Sequence, residues 1–248
     1  MGLTIHYSLR AGSISAGRAR EMVQRLRHLA VSLAFDQVTD VVEVSHGSGR
    51  KVPEDLADFA RYLTIRAGHA LFVATDDQDE ETVVVEPVDL IAFSALPGEG
   101  CEHAPIGLAT YPPRTTRRGR TVPTGLDGWR WWGCCKTQYA SNPAVGGTEA
   151  FLACHLRLVS LLDEAAGMGV LGEVTDESGY WEKRDVGLLA KEVARWNAVM
   201  AAAVGALQDG LEQAGVDRKR IVSEITAYPD FEHLEAKGRL GGTDRPRK

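Results

Sequence analysis

The chain has 248 residues, of which 44% are hydrophobic and 25% are charged, so it is long enough and apolar enough to bury a substantial core. Its formal net charge of −6 argues against nucleic-acid binding as the main function. No stretch approaches the ~20 consecutive apolar residues of a membrane span, and the first residues lack the basic and apolar segments of a signal peptide. Four cysteines in such a chain indicate reduced thiols and therefore a cytoplasmic location.

The first half of the chain is predicted to be rich in strands. Apolar residues alternate with polar ones over 3–9, which predicts a half-buried strand, and apolar residues at helical spacing over 19–33 predict a helix. A second strand near 38–44 and a shorter helix over 53–65 follow. Further strands are predicted over 71–75, 82–86, 89–96 and 106–111. The acidic run 76–81 is interpreted as the solvated tip of a hairpin rather than as a metal site.

The second half is predicted to be rich in helices. A basic segment with Pro and Gly leads from 112 to an aromatic strand near 129. A helix over 148–166 and a short strand near 170–174 come next. A long helix over 185–213 is predicted to be capped by Asp185 and stopped by Gly215.

Together these elements predict the α+β class, with a mainly antiparallel sheet, packed helices and room for ferredoxin-like elements. The domain prediction has a strand-rich half, a basic connecting loop, a helix-rich half and a disordered tail, with a single compact domain as the alternative. The corresponding residues are 1–111, 112–128, 129–238 and 239–248.

Large aromatic side chains are concentrated in residues 128–139, which hold three of the five tryptophans. An indole N–H needs a partner when it is buried, so such a cluster marks either dense core or the wall of a ligand pocket. The pocket interpretation places Trp131, Trp132 and Tyr139 in the wall and Lys136 beside a bound anion.

The segment Gly146-Gly147-Thr148 is predicted to start the helix over 148–166. Free backbone N–H groups and the positive end of a helix dipole bind phosphate or carboxylate there, and Lys136 would add a counter-charge. The alternative is a turn followed by an ordinary threonine cap. A second candidate for anion binding is Lys183 with Arg184 before the long helix, for which surface ion pairing is the alternative.

Cysteine and histidine residues allow a nucleophilic site. Cys135, or its neighbour Cys134, would be the nucleophile, His155 the base, and Asp176 or Glu177 the carboxylate that orients it. The alternative is that the thiols and His155 are satisfied core residues.

A zinc site is a further hypothesis. Its four ligands would be Cys101, His103, Cys135 and His155. The spacing does not require this site, because the chain has no Cys-x-x-Cys motif, and buried structural cysteine is the alternative.

Four segments carry a resemblance to known sequences. They are IAFS at 91–94, PGEGCE at 97–102, CKTQYAS at 135–141 and GYWEKRD at 179–185. At these segments, and over most of its length, the chain resembles a family of uncharacterised bacterial proteins with no function attached. The resemblance implies a bacterial, cytoplasmic setting and brings no activity, cofactor or site residue.

The leading functional hypothesis from the sequence is a pocket protein that binds a small anionic or planar ligand. One alternative is a thiol- or zinc-dependent hydrolase built on Cys135 and His155. Another is a non-enzymatic interaction protein whose aromatic residues are simply core. The sequence leaves the cofactor and the oligomeric state open.

Overall fold

The computed structural model describes residues 3–45, 58–74, 80–117, 120–215, 217 and 220–241. The first residues of the predicted helix over 53–65, most of the acidic run and the end of the predicted tail lie outside these ranges. No helix in the described ranges is both long and apolar enough to cross a membrane.

The described residues form six α-helices and eleven strands. The helices are α1 (Ala16–Ser32), α2 (Asp58–Ala67), α3 (Gly147–Gly167), α4 (Tyr180–Lys183), α5 (Val186–Gln213) and α6 (Phe231–Gly241). The first six strands are β1 (Thr4–Gly12), β2 (Gln37–Val38), β3 (Val42–Ser45), β4 (His69–Ala74), β5 (Glu80–Val85) and β6 (Asp89–Leu96). The others are β7 (Ala104–Thr110), β8 (Arg114–Arg117), β9 (Arg120–Pro123), β10 (Trp129–Lys136) and β11 (Leu171–Asp176).

Seven strands make one sheet in the order β11-β1-β10-β7-β6-β2, with β3 also paired to β6. Every pair in it is antiparallel. Strands β4 and β5 form a separate hairpin, and so do β8 and β9. The predicted α+β class with a mainly antiparallel sheet and packed helices is confirmed.

A ferredoxin-like unit makes up one side of this sheet, from the edge strand β11 to β7. The elements β1, α1, β7, β10, α3 and β11 follow the chain order β-α-β-β-α-β. Their strands lie side by side as β11-β1-β10-β7, and α1 packs on α3. The other strands of the sheet, β2, β3 and β6, come from the segment between α1 and β7, which also supplies α2.

Helices α1 and α5 form for reasons that are visible in the sequence. The Ser15 side chain accepts a hydrogen bond from the Arg18 backbone N–H at the start of α1, and Asp185 does the same for Leu188 at the start of α5. Helix α1 buries residues at helical spacing: Ala19, Val23, Leu26 and Ala30. Helix α5 ends at Gln213, two residues before the predicted stop at Gly215.

The central strands β6 and β7 are covered on both faces. Nearly all their consecutive residues are buried, although neighbouring side chains in a strand point to opposite faces. Helices α1 and α2 both contact these two strands, and α2 also contacts β10. Helix α2 is thereby placed over the end of β10 that carries the cysteines.

Two features of the structure concern the predicted division of the chain. The basic segment 112–128 contains the hairpin β8–β9. The large sheet combines strands from before and after this segment, because β10 and β11 lie in one sheet with β1, β6 and β7. The tail was predicted to be disordered from 239, but α6 continues to Gly241. Helix α6 packs along α5, which explains why it remains helical.

Candidate functional site

Trp131 belongs to the core. Its side chain is fully buried in the largest hydrophobic cluster, and its indole Nε1–H donates to the backbone oxygen of Pro105 at 2.6 Å. The Tyr7 hydroxyl donates to the same oxygen at 3.0 Å. Burial raises the pKa of Tyr7 well above its ordinary value. Trp131 therefore packs in the core, and its part in the wall of a ligand pocket stays a prediction.

Trp132 points to the opposite face of β10, as alternation along a strand requires. Its ring stacks on His69 at 4.2 Å between centroids and meets Tyr111 edge-on at 6.2 Å. Burial, with a contribution from Arg130, lowers the pKa of His69. Trp131 and Trp132 consequently cannot form one wall of the same pocket.

A cleft of about 570 Å³ lies between α2 and the end of the sheet. Helix α2 contributes Phe59, Tyr62 and Arg66, whose spacing places them along one side of the helix. The segment between β6 and β7 contributes Cys101, Glu102 and His103, and β10 contributes Cys134. A site of this size is suited to a small organic molecule.

The guanidinium of Arg66 is the cationic group of this cleft. Its Nη2 lies 3.2 Å from Cys134 Sγ. Burial alone would lower the pKa of Arg66, but the contact with Cys134 and the neighbouring tyrosines raise it. Within the described ranges, no carboxylate forms an ion pair with Arg66.

The segment carrying Cys101 to His103 is held firmly against β10. The Glu102 backbone N–H donates to Lys136 O at 2.9 Å, and Cys135 Sγ donates to Glu102 O at 3.1 Å. Gly100 has a φ of +79°, and a Cβ there would lie 2.7 Å from Tyr139 O, so the close approach requires glycine.

Only one ring nitrogen of His103 has a hydrogen-bond partner among the described residues. Its Nδ1 lies 3.1 Å from Ser94 Oγ. The described part of the chain provides no hydrogen-bond partner for its Nε2. The ring can therefore offer that atom to a ligand in the cleft.

The residues predicted to bind an anion with Trp131 lie elsewhere. Lys136 Nζ donates to the Tyr139 hydroxyl at 3.0 Å and lies 4.2 Å from the centroid of that ring. The Gly147 N–H donates to Asn142 O, and Thr148 is exposed on the first turn of α3. Gly146, Gly147 and Thr148 do not line the cleft, and anion binding there stays a prediction.

Arg184 takes part in surface ion pairing, which was the alternative weighed for it. Its two terminal nitrogens bind both oxygens of Asp163, each at 2.8 Å. Its guanidinium also stacks 4.4 Å from the Trp181 ring. Lys183 is exposed in the same short helix, α4.

His155 is fully buried and both of its ring nitrogens have partners. Its Nδ1 lies 3.0 Å from Thr137 Oγ1, and its Nε2 lies 3.1 Å from Asp176 Oδ2. Of the two carboxylates considered for His155, Asp176 and Glu177, Asp176 is the one hydrogen-bonded to it. Cys135 of the predicted dyad is buried and donates to Glu102 O instead of to His155.

The four residues predicted to ligate zinc do not assemble into a site. Cys101 and His103 line the cleft, whereas Cys135 and His155 are buried in separate hydrogen-bonding networks. Among all residues for which coordinates are described, no group of three or more His, Cys, Asp or Glu side chains is arranged to hold a metal ion.

Sequence reasoning missed the helical side of this cleft, because nothing in residues 59–66 indicates which part of the sheet α2 will cover. It also chose Cys135 over Cys134, although only the latter lines the cleft. Comparison of the chain with protein-family models, curated proteins and solved structures finds no match. The candidate site therefore rests on its own geometry.

Proposed function

We propose that this protein binds a small anionic ligand with a planar body in the cleft beneath α2. The observation that carries this proposal is the environment of Arg66. Its guanidinium faces a cleft, and its neighbour there is a thiol rather than a carboxylate. A guanidinium without a carboxylate partner favours an anionic ligand, which it can bind through two parallel hydrogen bonds.

Two aromatic rings next to Arg66 support a planar ligand. Phe59 and Tyr62 lie 5.9 Å apart between ring centroids, and Tyr62 is 37% exposed. Aromatic walls with a few converging polar groups are the usual design of small-molecule sites. A ring held by Phe59 and Tyr62 would bring its anionic group toward Arg66.

The acidic side chain in the cleft restricts the charge of the ligand. Glu102 also lines the cleft, and it is one of the groups that raise the pKa of Tyr62, after burial. A polyanion would be repelled by this carboxylate. A monoanion, such as an aromatic carboxylate that also carries a hydrogen-bond donor, can interact with Arg66, Glu102 and His103 at the same time.

Titration calorimetry with benzoate, 4-hydroxybenzoate and acetate tests the proposal. We expect the aromatic acids to bind in the millimolar range or tighter, and acetate to bind more weakly. Arg66→Ala should weaken benzoate binding by about tenfold to a hundredfold, because it removes hydrogen bonds to a charged group. Tyr62→Ala should reduce the advantage of benzoate over acetate.

Arg61→Ala is the matched control. Arg61 is exposed on the same helix but does not line the cleft, so its loss changes the charge of the protein equally without touching the site. Equal weakening by Arg61→Ala and Arg66→Ala would mean that only net charge matters. Absence of benzoate binding to the unmodified protein would contradict the proposal outright.

A thiol-dependent reaction at Cys134 is the second candidate function. The cleft combines a partly exposed thiol, a guanidinium at 3.2 Å and an imidazole, which are groups that cysteine-dependent enzymes use. An activated ester such as 4-nitrophenyl acetate would then release nitrophenolate with turnover, and Cys134→Ser would abolish it. Equal rates for the two proteins would exclude this reaction.

A further inference from the structure

Cys101 and Cys154 lie together where the segment between β6 and β7 meets α3. Cys101 packs against the apolar cluster that contains Cys154, and the two sulfurs are near enough for each to shift the pKa of the other. All four cysteines of the chain are free thiols in the structure. Two thiols in side-chain contact on different elements are the arrangement from which an intramolecular disulfide forms.

The contact depends on a glycine. A Cβ at Gly98 would overlap Cys154 Sγ, so any larger residue would push the sulfur away. The same turn holds Cys101, whose backbone N–H donates to Gly98 O at 3.1 Å. A single turn therefore accommodates one sulfur and positions the other.

The two thiols differ in their surroundings. The interaction with Cys101, followed by that with the nearby Arg157, lowers the pKa of Cys154 against the opposing effects of burial and of Asp36. The interaction with Cys154, followed by burial, raises the pKa of Cys101. Arg157 is itself anchored through Nη1 to Pro97 O at 2.7 Å.

The two thiols also differ in access. Cys154 is 3% exposed, whereas Cys101 is partly exposed and lines the cleft. A low-molecular-mass disulfide that enters the cleft reaches the Cys101 sulfur first. Cys154 lies behind it, which is the position of a resolving cysteine.

We propose that Cys101 and Cys154 form a redox site that undergoes thiol–disulfide exchange with low-molecular-mass disulfides and closes an intramolecular disulfide. The proposal does not depend on ligand binding by Arg66.

The exchange balances in two steps. Cys101 sulfur attacks one sulfur of the incoming disulfide, and the first small thiol leaves with the Cys101 proton. Cys154 sulfur then attacks the Cys101 sulfur of the mixed disulfide, and the second small thiol leaves with the Cys154 proton. Two protein thiols are oxidised and one small disulfide is reduced to two thiols.

Oxidised glutathione is the probe, and peptide mass spectrometry is the measurement. Trypsin places Cys101, Cys154 and the Cys134–Cys135 pair in three different peptides, so each crosslink is identified directly. After incubation and alkylation of the remaining thiols, we expect the Cys101 and Cys154 peptides to be joined and to separate again with excess dithiothreitol. In Cys154→Ser, glutathione should stay attached to Cys101.

Cys134→Ser is the matched control, because Cys134 lines the same cleft without contacting Cys154, and it should still form the crosslink. Circular dichroism of each variant confirms folding before oxidation. Glutathione retained on Cys101 of the unmodified protein without a crosslink would overturn the proposal. A crosslink that joins either cysteine to the Cys134–Cys135 peptide would overturn it as well.

Discussion

His155 Nε2 lies 3.1 Å from Asp176 Oδ2, and neither side chain is exposed to solvent. Asp176 also accepts hydrogen bonds from the Ser178 hydroxyl and from two backbone N–H groups. When Nε2 carries the proton, Nδ1 accepts from the Thr137 hydroxyl, so one tautomer satisfies every polar atom of the ring. The network fastens α3 to β11 and to the end of β10.

This network makes stability depend on pH in the acid range. Burial alone would raise the pKa of Asp176, but hydrogen bonds from His155 and Ser178 lower it. Its stabilising contribution is therefore complete above the unfolded-state pKa of about 4 and is lost as the pH falls through the lower folded-state value. Asp176→Asn should reduce the free energy of unfolding at pH 7 by about 2–3 kcal/mol.

Urea denaturation at pH 7 and near pH 3 measures both effects. The difference between the unmodified protein and Asp176→Asn should shrink at the lower pH. Glu173→Gln is the control, because Glu173 is exposed on the same strand, and its stability should follow the unmodified protein. An equal difference at both pH values would mean that ionisation of Asp176 does not stabilise the fold.

The two adjacent tryptophans of β10 should respond differently to truncation. Trp131→Ala leaves a large cavity in the main cluster and removes a donor from Pro105 O, so we expect a loss of about 3–5 kcal/mol. Trp132→Ala removes a partly exposed ring that stacks on His69 and should cost less than half as much. Thermal unfolding of both variants decides the matter, and similar losses would contradict the assignment of Trp131 to the core.

Most of the helices and strands could be predicted because the patterns that specify them involve only neighbouring residues. The alternation in β1, the apolar spacing in α1 and the Asp185 cap each act within a few residues. The α+β class followed from the order of these elements. Helix α6 is not among the predicted elements, and it packs along α5.

The candidate site was harder to predict because it depends on contacts between distant segments. Arg66 and Cys134 are 68 positions apart, and only the placement of α2 over β10 brings them together. The sequence also could not determine which face of β10 carries Cys134 and which carries Cys135, since a shift of one residue exchanges the faces of a strand. For His155 the sequence offered both a carboxylate partner and burial in the core, and the structure combines the two.

Alkylation should distinguish the four cysteines. Cys101 and Cys134 are partly exposed in the cleft, whereas Cys135 and Cys154 are buried. Brief treatment of the reduced protein with iodoacetamide should modify the first pair several-fold faster, and denaturation should remove the difference. Tryptic peptides containing Cys101 and Cys154 report this order separately, and faster modification of Cys154 than of Cys101 would contradict the described burial.

The space at Gly98 offers a further test of the packing around Cys154. Gly98→Ala places a methyl group where Cys154 Sγ lies, and such overpacking costs about 1–3 kcal/mol. Gly210→Ala is the matched control, because a Cβ at this position of α5 meets nothing within 4 Å and should stabilise the helix by up to about 1 kcal/mol. Chemical denaturation of the reduced proteins measures both changes.

If Gly98→Ala were as stable as the unmodified protein, Cys154 would have room to move and Gly98 would not be needed for its position. Loss of stability that Cys154→Ala restores in the double variant would instead locate the strain at that sulfur, because removing the sulfur makes room for the added methyl group.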